Sequence, residues 1–144
     1  CSSSATVKGT QRAGGVAGST NYDATLTACY ATGDVTVEND GTSNAWAGGV
    51  VGSNAYCTVI ACYAAGNVSG TIHVGGVTGE NFDGTLTACY WSGLPDNDNG
   101  GATKVDGTTV TWTDAVTAMN AALSGKGWQY ELKDGNSLPT LKKQ

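Results

Sequence analysis

This chain of 144 residues carries a single histidine, His73, and five cysteines, Cys1, Cys29, Cys57, Cys62 and Cys89, residue types suited to general-base and nucleophilic work. A Ser-His-Asp or Cys-His catalytic arrangement would have to use His73. That residue stands in a column with Arg12 and Trp46 where residue type varies freely, which reads as a surface position rather than a catalytic base. A zinc site needs four converging nitrogen or sulfur ligands, and the chain has no Cys-x-x-Cys pair. The run Asp96-Asn97-Asp98-Asn99-Gly100-Gly101 begins like a calcium loop, with oxygen ligands at alternate positions and glycine at the sixth. The match fails at the twelfth position, where Gly107 replaces the required bidentate Glu. Asp96 and Asp98 are therefore weak calcium candidates in a solvated loop, and neither a resident metal nor a cofactor is expected.

The remaining candidates are aromatic. An Arg12, Trp46, His73 stripe could stack sugar rings and donate hydrogen bonds, and Tyr30, Tyr63, Tyr90 and Trp91 could add further stacking surface. The composition narrows the partners. Twelve acidic against seven basic residues give a net charge of -5, and Arg12 is the one arginine, so no basic patch is available to neutralise phosphates and nucleic acid is excluded as a partner. An apolar fraction of 40% with only 13% charged residues argues against disorder. No apolar run approaches the roughly 18 residues that cross a bilayer.

The elements that must position these residues are repeats. AGGVAGSTNYDATLTACYATGDV from Ala13, AGGVVGSNAYCTVIACYAAGNVSG from Ala47 and VGGVTGENFDGTLTACYWSG from Val74 superimpose, and Cys29, Cys62 and Cys89 follow one another at spacings of 33 and 27 residues. Residues 37–45 form a polar insertion that accounts for the longer spacing. Setting Cys1 on Cys62 continues the pattern to the start of the chain, with Val7 on Val68 and Gly14 on Gly75. An N-terminal Cys followed by serines could also mark a lipoprotein start. Each unit holds three short segments with strand character, punctuated by Gly, Asn or Asp. This predicts an all-β parallel β-solenoid, or β-helix, of about 27-residue coils, each strand pairing with its copy one coil away at about 4.8 Å. The inward columns are Val16, Val50 and Val77; Leu26, Val59 and Leu86; and Val7, Val35 and Val68, with glycines supplying positive φ angles and close approach at corners.

Four of the cysteines share one repeat position. Stacked thiols at about 4.8 Å do not match the roughly 3.8 Å Cβ separation of a disulfide, so these cysteines read as free, buried thiols. Strict alternation would turn Cys29 outward, so its burial requires a bend near Ala28. Cys57 falls in a turn and is expected to be exposed.

The pattern G-G-V-x-G, about ten residues, T-A-C-Y, then A-x-G-[DN]-V resembles the GLUG motif of bacterial surface proteins, over residues 1–93 with coils starting near 13, 47 and 74. The resemblance implies an extracellular or cell-surface location and a role in attachment, with a surface glycan or a host or bacterial surface protein as partner. It implies no catalytic residues. Residues 94–108 read as a linking loop and residues 109–144 as a C-terminal cap. The cap comprises a helix over Asp114–Ser124, capped by Thr113 with Val116, Met119 and Leu123 on one face, and a hairpin through Trp128, Tyr130 and Leu132, Asp134-Gly135, and Leu138, Pro139 and Leu141. The N-terminal end begins mid-coil, which predicts either upstream sequence or self-association there.

The expected function is that of a non-enzymatic repeat module for adhesion or spacing. A carbohydrate-binding module is the alternative. A third reading, an ice-binding face built on the ladders Thr25, Thr58, Thr85 and Thr27, Ile60, Thr87, is weaker, because threonine is in any case a favoured exposed β residue.

Overall fold

A computed structural model describes residues 1–38, 41, 45–134 and 137–144. The chain opens with β1 (Ser2–Ser3) and β2 (Val7–Gly9). A first full turn follows as β3 (Arg12–Gly14), β4 (Ala17–Asn21), β5 (Thr25–Thr27), β6 (Tyr30–Ala31) and β7 (Val35–Val37). The next turn holds β8 (Trp46–Gly48), β9 (Val51–Ala55), β10 (Thr58–Ile60), β11 (Tyr63–Ala64) and β12 (Val68–Ser69). The third runs through β13 (His73–Gly75), β14 (Thr78–Phe82), β15 (Thr85–Thr87) and β16 (Tyr90–Trp91), and β17 (Thr103–Lys104) lies beyond it.

Every strand of these turns pairs in parallel with its copy in the neighbouring turn, giving the stacks β1-β6-β11-β16-β17, β2-β7-β12, β3-β8-β13, β4-β9-β14 and β5-β10-β15. The register is the one the repeats predict: Thr58 faces Thr25 and Thr85, and Tyr63 faces Tyr30 and Tyr90. At the start of the chain Val7 pairs with Val35 and Ser2 with Tyr30. The fold is thus all-β, solenoid-like and built on parallel stacked strands.

Two features differ from expectation. There are five strand stacks where the sequence suggested three segments per turn, and the residues with positive φ inside the repeats are mostly not glycine. Ala28, Ala61 and Ala88 have φ of 53°, 51° and 50°, and Tyr56 and Asp83 have φ of 57° and 51°. The left-handed alanine splits Thr-Leu-Thr-Ala-Cys-Tyr into two strands and resets the inside-outside phase. This is the bend that Cys29 requires: Cys29, Cys62 and Cys89 all lie buried, next to Val59 and Val77. The repeat glycines instead permit close approach. A Cβ on Gly49 would collide with the Gly76 carbonyl oxygen and the Ala64 methyl, and one on Gly76 with the Trp91 ring.

The valine and leucine columns point inward as expected. Val50, Val59 and Val77 are fully buried with Val16, Leu26 and Leu86 packed against them, and Val35 is fully buried in a separate cluster with Val68 and Val7. Two cysteines depart from expectation. Cys57 is buried and Cys1 exposed, because left-handed Tyr56 turns the next residue inward, where the Cys57 Sγ lies 3.1 Å from the Ala55 carbonyl oxygen.

The C-terminal segment contains α1 (Trp112–Ala122) and an antiparallel pair, β18 (Trp128–Glu131) with β19 (Thr140–Lys143). The helix starts two residues earlier than expected because Thr111, not Thr113, caps it: Thr111 accepts from the Asp114 N–H while the Asp114 carboxylate accepts from the Thr111 N–H, a reciprocal capping box. Met119, Leu123 and Tyr130 pack on Ala28, Ala61 and Tyr63, with Tyr30, Tyr90 and Ala88 at the edge of the same cluster. The segment therefore lies along the flank of three successive turns, and not over the last turn alone as a terminal cap would. The expected hairpin turn at Gly135, and positions 39, 40 and 42–44 of the polar insertion, lie outside the described residues.

Candidate functional site

Residues 94–105, expected to be a linking loop, continue the stack. Val68 N–H donates to Leu94 O, Gly76 N–H to Asn97 O and Thr103 N–H to Cys89 O. Asp98 has the defining position here. In the second turn the Val50 and Val51 N–H groups both donate to Val77 O, each at 3.0 Å. The equivalent donors of the third turn, Val77 and Thr78 N–H, donate instead to Asp98 Oδ1 at 2.8 and 2.7 Å, while Oδ2 accepts from the Gly100 and Ala102 N–H groups at 2.8 and 3.1 Å. One carboxylate thus takes the place of the carbonyl that a further turn would offer to an open strand edge. Asp96 pairs with Lys104. Both oxygens of Asp98 are engaged by backbone amides, whereas Asp96 meets a lysine side chain. No group of three or more His, Cys, Asp or Glu side chains with metal-binding geometry occurs among the described residues.

Trp91 closes the same end from within. It pairs with Ala64, so an indole stands where the two preceding turns have Ala31 and Ala64, and its Nε1 donates to Pro95 O at 2.8 Å. Buried among Val77 and Cys89, it belongs to the core and not to a ligand surface. Tyr63 is likewise fully buried, its hydroxyl donating to Pro139 O at 2.5 Å. Burial raises the Tyr63 phenol, and that of Tyr130 more, well above the usual range.

The Arg12, Trp46, His73 stripe exists, since the three residues are register partners on β3, β8 and β13. The Arg12 guanidinium carbon sits 4.5 Å from the Trp46 ring centroid, and the His73 ring centroid lies 6.2 Å from it on the other side at 26°. Trp46 is only 9% exposed. Both of its faces are engaged by its own neighbours, so it offers no open platform for a sugar.

The thiols Cys29, Cys62 and Cys89 form an internal ladder, each Sγ within 3.3–3.4 Å of the carbonyl oxygen two residues earlier. Hydrogen bonding between thiols, opposed by burial, brings Cys29 down to about 6. The same contacts hold Cys62 protonated, well above its ordinary value, and lower Cys89. A second internal ladder occupies a corner. Thr20 Oγ1 donates to Asn54 Oδ1 and Asn54 Nδ2 to Asn81 Oδ1, both at 2.7 Å, and the asparagine amides also donate to Cys57 O and Gly84 O. The fully buried Asn54 is satisfied by this chain.

What remains outside is an aromatic column that reading the repeats did not single out. Tyr22 and Tyr56 stack with centroids 5.9 Å apart and planes at 9°, and Phe82 meets Tyr56 edge-on at 5.3 Å. They are 80%, 46% and 55% exposed. The column borders the outward ladder of Thr25, Thr58 and Thr85. Its sequence signal is an aromatic two or three residues before that threonine in every copy. Counted from the repeat glycines Gly14, Gly48 and Gly75, Phe82 falls one residue before the place held by Tyr22 and Tyr56, and this slip hides the alignment.

A cleft of about 380 Å³ opens between β1, the Tyr30 ring and the hairpin, lined by Ser2 to Ser4, Tyr30, Tyr63, Thr32 and residues 138–140. Of the tyrosines expected to bind ligand, Tyr30 faces this cleft, whereas Tyr63 and the half-buried Tyr90 pack under the C-terminal segment.

The GLUG motif matches residues 9–36, from the end of β2 through β3–β6 and into β7. No curated protein and no solved structure matches the chain.

Proposed function

We propose that this GLUG-motif repeat protein is a non-enzymatic module of a bacterial surface or secreted protein, built from coils of about 27 residues and used for adhesion or spacing, with the C-terminal helix and hairpin as a lateral buttress. The observation that carries this reading is the division of labour among its side chains. Groups able to do chemistry, the Cys29, Cys62 and Cys89 thiols, Asp98, Asn54 and the Tyr63 and Tyr130 phenols, are bonded to the protein's own backbone and to each other. Side chains that recur outside, Tyr22, Tyr56 and Phe82, are of the kind that anchors interfaces. The test is to present the purified chain on beads to surfaces coated with bacterial and host cells. Retention without chemical change of the surface is expected. Turnover of a surface polymer that disappears in His73→Ala would overturn the non-enzymatic reading.

A second reading, carbohydrate binding, is favoured by the cleft beside Tyr30. Among the described residues its lining combines an aromatic ring with several hydroxyls and contains no charged side chain.

A further inference from the structure

The tyrosine column ends at Tyr30 in the first full turn, with no ring on β1. Tyr63 and Tyr30 lie face to face, with centroids 4.9 Å apart and planes 1° from parallel. The register partner of Tyr30 on the far side is Ser2, whose side chain is too short to continue the stack. The face of Tyr30 turned away from Tyr63 therefore borders the cleft of about 380 Å³.

We propose that this cleft binds a neutral pyranose, stacked on Tyr30 in the position that a third aromatic ring of the column would occupy. The inference rests on the carbohydrate reading and names its site and ligand class. Adjacent turns are about 4.8 Å apart, so the slot beside Tyr30 has the depth of one flat ring. A pyranose has a face of C–H groups that packs on an aromatic ring and a rim of hydroxyls. Tyr30 meets the face, with the exposed Leu138 as an apolar wall. Ser2, Ser4, Thr32 and Thr140 meet the rim, and each hydroxyl both donates and accepts, as a polyol requires. A phenyl ring would fit the slot but leave those hydroxyls without partners. An anionic sugar would bring a charge to a lining that holds no cation to receive it.

The experiment is an NMR titration of the full chain with the methyl glycosides of glucose, galactose, mannose and N-acetylglucosamine, with phenol and glucuronate as comparators. At least one neutral glycoside is expected to shift the amide signals of Ser2, Tyr30 and Thr140. Ser2→Tyr, which fills the slot while removing no part of the core, is expected to weaken binding about tenfold or more with the melting temperature kept. Tyr30→Phe is expected to bind like the parent and Tyr30→Ala to lose binding. Tighter binding of phenol or glucuronate than of every neutral glycoside would overturn the proposal. Glycoside binding that Ser2→Tyr leaves intact would overturn this site but not the carbohydrate reading. Failure of all the glycosides to bind, together with failure of the chain to bind any glycan on an array, would overturn both.

Discussion

The Tyr130 hydroxyl donates a 2.8 Å hydrogen bond to the carbonyl oxygen of Ala61, linking the hairpin to the middle turn across 69 residues of sequence. The contact is buried, and the Ala61 carbonyl belongs to one of the left-handed alanines that divide each turn. Replacing Tyr130 by Phe removes the donor but keeps the ring in its cluster with Met119 and Leu123. The expected loss is about 1–3 kcal/mol, the range for a buried acceptor left unpaired, read from urea denaturation. An unchanged midpoint would mean that the hairpin is not held to the turns through this bond.

Burial raises the phenols of Tyr63 and Tyr130 above the usual value near 10. The folded protein therefore holds these protons more tightly than the unfolded chain. The associated stability is fully present below about pH 10 and is lost as pH rises from there toward the raised values. Urea midpoints are expected to fall as pH rises above about 10, and to fall less in the Tyr130→Phe variant. Equal pH dependence in the two proteins would contradict the burial of Tyr130.

Thiol labelling separates Cys1 from the rest. Cys1 is exposed, and Cys29, Cys57, Cys62 and Cys89 are buried and unpaired. Although Cys29 is lowered to about 6, its burial denies a bulky reagent access to it. One thiol is expected to react in the native state and all five in denaturant. Rapid native labelling of two or more would place Cys57 or the ladder outside.

Asp98→Asn replaces one acceptor oxygen with an amide donor that faces backbone N–H groups. A loss of about 1.5–3 kcal/mol is expected, the scale of a hydrogen bond to a charged group. Addition of calcium is expected to leave the melting temperature of the parent unchanged. A calcium-dependent rise that Asp98→Asn abolishes would restore the calcium loop.

Gly49→Ala drives a methyl group into the Gly76 carbonyl oxygen and the Ala64 side chain, with backbone on one side and packed core on the other. Overpacking of this kind costs about 1–3 kcal/mol. Circular dichroism melting is the check, and a parental melting temperature would show that the turns are not packed this closely.

The strand register was legible because it repeats: Val59 and Leu86, or Tyr63 and Tyr90, carry the same side chain type at the same place in successive copies. The stripe of Arg12, Trp46 and His73 was legible for the same reason, although the engagement of both Trp46 faces depends on which way the neighbouring side chains lean. Ala28 carries nothing in its chemistry that announces a positive φ, so the split of one segment into two strands was inferred only indirectly, from the need to bury Cys29. Cys57 was misplaced through the equivalent turn at Tyr56. The flank position of the helix and hairpin was not legible, because an apolar face on Met119 and Leu123 says that it must be covered but not by what. Of the candidate site, Tyr30 was visible in the sequence. The column of Tyr22, Tyr56 and Phe82 was hidden by a one-residue slip between copies.

The adhesive role of that column is tested most directly by bead retention under flow, comparing the parent with a chain carrying Tyr22→Asn, Tyr56→Asn and Phe82→Ser. Asparagine tolerates the left-handed backbone at Tyr22 and Tyr56, and all three side chains are substantially exposed, so folding is expected to survive. The account predicts a parental melting temperature with retention lost. Retention equal to the parent in a folded triple variant would contradict it.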